Sequence, residues 1–194
     1  MNSSYTDLDD AALVEAARCD AEAFDVLYGR YVQRVYRYCC ARVGNRQDAE
    51  DLTTEVFLAV LESLDRYQDR SCFAAWLFGI ARNICALYHR NQYTHPELMI
   101  VQEENPRLQA ITGLAQEDTP SHPERVALRK ERLSSMKLAI ETLSQDRREA
   151  LYLRFWGGLT HREIAEVMGK TAGAVKMLIW RSVNDLRRRC VDET

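Results

Sequence analysis

The sequence predicts an all-α fold made of two small helical domains joined by an extended linker. Apolar residues recur at spacings of three and four through most of the chain, and no segment keeps the period of two that a strand requires. Glycine is scarce, with 8 residues, and all 4 prolines lie between residues 92 and 123. We therefore predict a first domain over residues 1–91, a linker over 92–123 and a second domain over 124–194.

The predicted location is the cytoplasm, with no membrane insertion. The N-terminus is polar and acidic, and no apolar stretch approaches the roughly 20 residues of a membrane-spanning helix. The 6 cysteines contain no C-x-x-C pair, and the 4 histidines are scattered. We therefore expect neither a metal nor a cofactor, and reduced, mostly buried thiols.

Charge is distributed unevenly along the chain. Residues 1–95 contain 10 basic and 14 acidic residues, residues 96–128 contain 2 and 6, and residues 129–194 contain 14 and 9. The C-terminal part is therefore positive within a protein whose net charge is −3. A positive domain suits a polyanionic partner such as DNA, whereas the acidic remainder suggests a second, different partner.

The first domain is predicted to contain four helices. A short one follows Asp7, and a longer one, capped by Asp20, ends at Gly44. The third covers residues 46–64 and the fourth residues 73–91. The third carries an acidic strip, whose members are Asp48, Asp51, Glu55 and Glu62. The helix dipole would explain acidic residues in the first turn only, and this strip continues well beyond it.

The fourth helix is basic and aromatic, and a polar loop precedes it. Such a helix can bind single-stranded nucleic acid by stacking and phosphate contact. Phe73 and Trp76 are equally consistent with a role in the core. The second domain then begins near Glu124 with a helix reaching about Thr142, and Ser144 caps another that stops at Gly157.

The segment from Thr160 to Leu186 predicts a helix-turn-helix. Thr160 and Glu163 form a capping box, and Gly169 stands where a chain leaving a helix needs a positive φ. Thr171 caps the second helix. Its outward face is predicted to carry a cationic and aromatic set that would face DNA: Lys176, Met177, Trp180 and Arg181.

Four segments together resemble the sigma-70 superfamily of bacterial transcription initiation factors, specifically the small extracytoplasmic-function (ECF) sigma factors. In the first domain they are AFDVLYGRYVQRVYRY, DAEDLTTEVFLAVLESLDRY and FAAWLFGIARN. In the second it is LSQDRREALYLRFWGGLTHREIAEVMGKTAGAVK. The resemblance covers about residues 8–91 and 124–189. It implies an alternative sigma factor that binds core RNA polymerase, directs it to −35/−10 promoters and promotes strand opening.

The resemblance also assigns sites. The acidic third helix would dock on the β′ clamp helices of polymerase, with further contacts to the β subunit, through Asp48, Asp51, Leu52, Glu55 and Val56. The −10 element would be read as a flipped base by Gln68, Asp69, Arg70, Ser71, Trp76, Arg82 and Asn83. The −35 element would meet Thr171, Lys176, Met177, Trp180 and Arg181. An anti-sigma factor is a further expected partner.

This chain departs from the family pattern in two places. Thr54 stands where relatives often have Gln, and Met177-Leu178-Ile-Trp180 replaces a more cationic run in the reading helix. The rival interpretation is a stand-alone helix-turn-helix regulator that binds operators without polymerase. An enzyme is not expected, because no serine stands beside the helpers of a nucleophile and the acids form one external strip.

Overall fold

The computed structural model describes residues 5–68, 72–94 and 138–192, and every regular element in these ranges is helical. This confirms the predicted all-α fold. The N-terminal domain consists of α1 (Asp10–Ala17), α2 (Ala21–Val43), α3 (Arg46–Ser63), a 3-10 turn (Leu64–Arg66) and α4 (Phe73–Thr94). The C-terminal domain consists of α5 (Gln145–Phe155), α6 (His161–Met168) and α7 (Ala172–Asp192), after helical residues 138–141. The predicted linker and most of the helix before Thr142 lie outside the described residues.

The caps predicted at Asp20, Thr160 and Thr171 are present, whereas Ser144 stands at the N-cap position of α5 but makes no side-chain capping hydrogen bond. The carboxylate of Asp20 accepts a hydrogen bond from the Glu22 N–H at 2.8 Å, and α2 ends at Gly44 with φ 78°. Thr160 and Glu163 form the complete capping box of α6. Each cap satisfies backbone donors that the first turn leaves without intrahelical partners.

The N-terminal domain buries one apolar stripe from each of its helices. Leu13 of α1, Leu27 and Val35 of α2, Val60 of α3 and Leu77 of α4 are all almost completely enclosed. The 3.6-residue period of each stripe therefore determines which helix faces are left for partners.

The C-terminal domain contains the predicted helix-turn-helix. Gly169 ends α6 with φ 62°, a conformation that glycine adopts without the Cβ clash of other residues. Ala165 and Val175 are buried where α6 and α7 cross. The Thr171 hydroxyl accepts from the Ala174 N–H at 3.2 Å, as its predicted capping role requires.

The two domains pack against each other. α5 lies against α2, α6 lies against α4, and one continuous cluster of buried residues includes members of both domains. A Cβ added at Gly157 would lie 2.9 Å from a ring carbon of Phe78 in α4, so the Gly157 backbone packs directly against that ring. Within the described ranges, no helix is long and apolar enough to cross a membrane.

Candidate functional site

The outer face of α3 is acidic and contains exposed leucines. Asp51 and Glu55 point outward, as predicted. Leu58 and Leu61 lie on the same face with 53% and 49% of their surface exposed. Four residues spaced by three and four along one helix form a single strip. We call this set, Asp51, Glu55, Leu58 and Leu61, the α3 strip.

Leu52 and Val56, which the resemblance assigns to polymerase docking, do not lie on this outer face. Leu52 is 4% exposed and Val56 is fully buried. The physical reason is that α3 has to close the domain core with its own apolar stripe, and these two residues belong to that stripe. The apolar contribution to an outer contact falls instead to Leu58 and Leu61.

Asp48 occupies the N-terminal end of α3, where it is already engaged. Its carboxylate accepts a hydrogen bond from the Asn45 side-chain amide at 2.7 Å. The Tyr88 hydroxyl of α4 donates to the same oxygen. Asp48 therefore ties α3 to α4, and its half-buried carboxylate is less available to a partner than those of Asp51 and Glu55.

An aromatic cluster stands at the start of α4. Phe73 is 3% exposed and belongs to the core, whereas Trp76 is only half-buried. The ring of Tyr67 lies 4.8 Å from that of Trp76 and 5.8 Å from that of Phe73. An Arg18 guanidinium nitrogen donates to the Tyr67 carbonyl at 2.7 Å and holds the chain where the loop departs.

The remaining residues predicted to read the −10 element have different surroundings. Gln68 and Asn83 are exposed, at the start of the loop and on α4 respectively. Arg82 is half-buried, and its Nη1 donates to the Val167 carbonyl in α6 at 3.2 Å. Asp69, Arg70 and Ser71 lie outside the described residues.

The outward face of α7 contains the side chains predicted for DNA reading. Lys176 and Arg181 are exposed, and Met177 and Trp180 are 45% and 59% exposed. The prediction that Trp180 points outward is confirmed. Two large apolar side chains beside two cations form a surface that can contact both base methyl groups and phosphates.

The sequence did not reveal a buried ionic cluster between the domains. The Glu149 carboxylate in α5 accepts from the Tyr38 hydroxyl at 2.7 Å and from Arg42 at 2.5 Å, both in α2. Burial, and then the negative charge of Glu149, raise the pKa of Tyr38. In the sequence Glu149 directly follows charged Asp146, Arg147 and Arg148, so no local signal marked it as a buried residue.

Cys72 stands at the second contact between the domains. Its Sγ lies 3.2 Å from a carboxylate oxygen of Glu163. Burial, with smaller contributions from that hydrogen bond and from the charges of Glu163 and Glu166, raises the pKa of Cys72 to about 11. Although burial opposes it, hydrogen bonds from Thr160 and Cys72 lower the pKa of Glu163.

No group of three or more potential metal ligands occurs among the described residues. Cys39 and Cys85 have their sulfurs 3.9 Å apart in the core and are free thiols, as is exposed Cys19. A helical domain with an acidic, leucine-bearing face, packed beside a helix-turn-helix with a cationic, aromatic face, defines a two-domain DNA-binding protein.

Comparison with known proteins specifies this class. Residues 27–94 match the model for Sigma-70 region 2, and residues 133–186 match that for Sigma-70, region 4. The chain is 39% identical over 188 residues to the ECF RNA polymerase sigma factor BldN of Streptomyces coelicolor, an alignment covering 93% of this chain but 66% of the relative. It is 32% identical over 190 residues to the ECF RNA polymerase sigma factor SigD of Mycobacterium tuberculosis, covering 94% and 84%.

A solved structure supports the same fold. CnrH in complex with the cytosolic domain of CnrY superposes with a TM-score of 0.66 at 21% identity, over 95% of this chain and 99% of that one. The chain belongs to the ECF RNA polymerase sigma factors.

Proposed function

We propose that this protein binds core RNA polymerase, brings it to −35/−10 promoters and helps separate the strands at the −10 element. The observation that carries the proposal is the presence, in one chain, of the acidic α3 strip and the cationic face of α7. Faces of opposite charge require different partners, one basic and one polyanionic. Membership of the ECF sigma factors supports polymerase as the basic partner and promoter DNA as the polyanionic one.

Polymerase docking is assigned to the α3 strip. Its two half-exposed leucines would supply the apolar centre of the contact, and Asp51 and Glu55 would supply a charged rim. An apolar centre with a polar rim is the ordinary anatomy of a protein interface. The expected polymerase partner is the basic surface of the β′ clamp helices, with the β subunit as a further contact.

Reading of the −10 element is assigned to the aromatic cluster before and within α4. Half-buried Trp76, supported from below by Tyr67 and Phe73, offers a platform on which an extruded base can stack. Gln68 precedes this platform in the chain, and Arg82 and Asn83 follow Trp76 by about two turns of α4, from where they would add polar contacts along the strand. Extruding a base costs a few kcal/mol, which stacking and phosphate contact would offset.

Reading of the −35 element is assigned to α7. The N-terminal turn of this long helix, after Thr171, suits a phosphate, and Lys176 and Arg181 supply positive charge along the exposed face. Met177 and Trp180 favour contact with thymine methyl groups. We expect no catalytic chemistry from the protein itself, and we place its action in the cytoplasm with polymerase. The expected anti-sigma factor stays a prediction.

The test is run-off transcription with purified core polymerase on a library of promoter fragments. The expected result is a set of transcripts, absent without the protein, whose templates share −35 and −10 sequences. Arg181→Ala removes a cation from the outward face of α7. Arg66→Ala is the matched control, because it removes an exposed arginine of the N-terminal domain. Arg181→Ala should lower promoter binding while leaving polymerase binding intact. Absence of any dependent transcript would contradict the proposal.

A further inference from the structure

Two buried cysteines meet at the contact between α2 and α4. The Sγ of Cys85 lies 3.9 Å from the Sγ of Cys39, and both side chains are completely enclosed. The two residues are 46 positions apart in sequence, so only the packing of the two helices brings their sulfurs together. Neither thiol belongs to the surfaces assigned to polymerase or DNA, so the function proposed above gives the pair no role.

The two sulfurs are close enough for a covalent bond to require little movement. A disulfide has an S–S distance of about 2.05 Å, so the sulfurs would approach by about 2 Å. Rotation about the two χ1 angles and a small shift between the helices can supply this approach. Cys40 is the next residue of α2 and is also buried, but its side chain leaves the helix about 100° away, where it contacts the Tyr36 hydroxyl. Cys39 is therefore the partner of Cys85.

In the folded protein at rest the pair is a protonated dithiol. The hydrogen bond with Cys85 and burial raise the pKa of Cys39, and a hydrogen bond with the Thr53 hydroxyl opposes them only in part. The thiolate, rather than the thiol, is the form that attacks an oxidant. The enclosed pair therefore resists oxidation until water and the oxidant can reach it.

The pair lies where the core of the N-terminal domain ends. Cys85 is the last buried residue among the described side chains of α4, and those of residues 86–91 are half-buried or exposed. A helix end with few buried contacts opens more often than the core from which it extends. The Tyr88 hydroxyl ties this end to α3 by its hydrogen bond to the Asp48 carboxylate. Local opening of the end of α4 is therefore the shortest route by which solvent reaches the sulfurs.

We propose that Cys39 and Cys85 form a redox-modification site, in which hydrogen peroxide, entering when the end of α4 opens, joins the two sulfurs in a disulfide. The thiolate of one cysteine attacks the peroxide, so that an S–O bond forms, the O–O bond breaks and hydroxide leaves. The second thiol then attacks that sulfur, so that an S–S bond replaces the S–O bond and a second hydroxide leaves. The protons of the two thiols convert both hydroxides into water. The pair loses two electrons, which the peroxide gains.

The disulfide would join α4 covalently to α2. It closes a loop of 46 positions, and cross-linking a loop of this size lowers the conformational entropy of the unfolded chain. The oxidised protein should therefore unfold at a higher urea concentration, with a midpoint raised by roughly 1–2 M, and dithiothreitol should reverse the change. This chemistry does not depend on which partners the protein binds, since the bond occupies none of the exposed faces.

The route of oxidation is tested by Tyr88→Phe, which removes the hydrogen bond at the end of α4. The rate at which the disulfide forms should rise about fivefold or more, because opening of this end then breaks one hydrogen bond fewer. Tyr5→Phe is the matched control, since it removes a hydrogen bond of 2.7 Å to the Asp20 carboxylate elsewhere in the same domain. Equal rates in Tyr88→Phe and the wild type, or an equal rise in Tyr5→Phe, would refute entry at the end of α4.

The bond itself is tested by peptide mass spectrometry of the full-length protein after hydrogen peroxide treatment, alkylation and tryptic digestion without reductant. The expected product is residues 38–42 linked to residues 83–90, lighter by two hydrogen atoms than the separate peptides. Cys39→Ala should abolish this product, whereas Cys40→Ala, the matched control, should retain it. Should Cys39→Ala not fold, fragment ions of the wild-type product locate the bond at Cys39 or Cys40. A bond at Cys40, absence of the linked product, or an unchanged urea midpoint after oxidation would overturn the proposal.

Discussion

The exposed leucines of the α3 strip allow a quantitative test of polymerase docking. Burying a whole leucine side chain is worth about 1.5–3 kcal/mol. Leu58 and Leu61 are 53% and 49% exposed, so docking can bury about half of each. That amounts to about 1 kcal/mol for each residue and about 2 kcal/mol for the pair. At 1.4 kcal/mol for each factor of ten, the double variant Leu58→Ala/Leu61→Ala should bind core polymerase about 30-fold more weakly.

The chain supplies a matched control in Leu87. This residue of α4 is 52% exposed, and it does not belong to the α3 strip. Leu87→Ala therefore removes the same atoms at the same exposure in another place. The assay is anisotropy of a labelled protein titrated with core polymerase, with circular dichroism to verify the fold. Equal Kd values for the wild type and the double variant, or an equal loss in Leu87→Ala, would refute the docking assignment.

Substituting Leu52 would be a poor test of the same interface. Its side chain is almost fully buried, so Leu52→Ala would leave a cavity and cost about 2–5 kcal/mol of folding stability. Loss of polymerase binding in that variant would follow from unfolding alone. Asp51→Arg is the better companion, because its side chain is exposed and the change reverses charge toward a basic partner.

Three further outcomes are expected. Thr160→Ala removes the capping hydroxyl of α6 and should lower the free energy of unfolding by about 1 kcal/mol. Thermal denaturation should therefore show a lower Tm, and an unchanged Tm would refute the contribution of the cap. Trp180→Ala should weaken promoter binding at unchanged Tm, since its ring is mostly in solvent; an unchanged footprint would contradict its assignment. The free energy of unfolding should fall as the pH rises from about 8.5 towards the Cys72 pKa of about 11, because the unfolded chain releases that proton first. Tyr31, Glu163, Glu166 and the Ala75 N–H act on this thiol, and Cys72→Ser should reduce the fall, measured by urea denaturation at each pH; an equal fall in Cys72→Ser would contradict it.

The helices were predictable because their signals are local. A cap such as Asp20, a capping box at Thr160 and an αL glycine at Gly169 act within a few residues of one another. The outward direction of Trp180 was also predictable, since polar residues stand one turn before and after it.

The exposed surfaces were less predictable, because the exposure of a residue depends on which helices pack against its own helix. The 3.6-residue period of α3 already places Leu52 in the core, and only the family resemblance assigned it to docking, whereas nothing in the sequence distinguished Leu58 as an exposed apolar residue. The pairing of Arg42 with Glu149 joins positions more than 100 residues apart in sequence, and no spacing rule connects them.

The arginines that join the domains mostly address main-chain carbonyls. Arg34 donates to Gly157 and Gly158, and Arg82 donates to Val167. A carbonyl is common to all residues, so these bonds do not depend on the identity of side chains in the C-terminal domain. None of these carbonyls belongs to α7, so under the proposed function substitutions on the exposed face of α7 could change the promoter preference without removing these bonds.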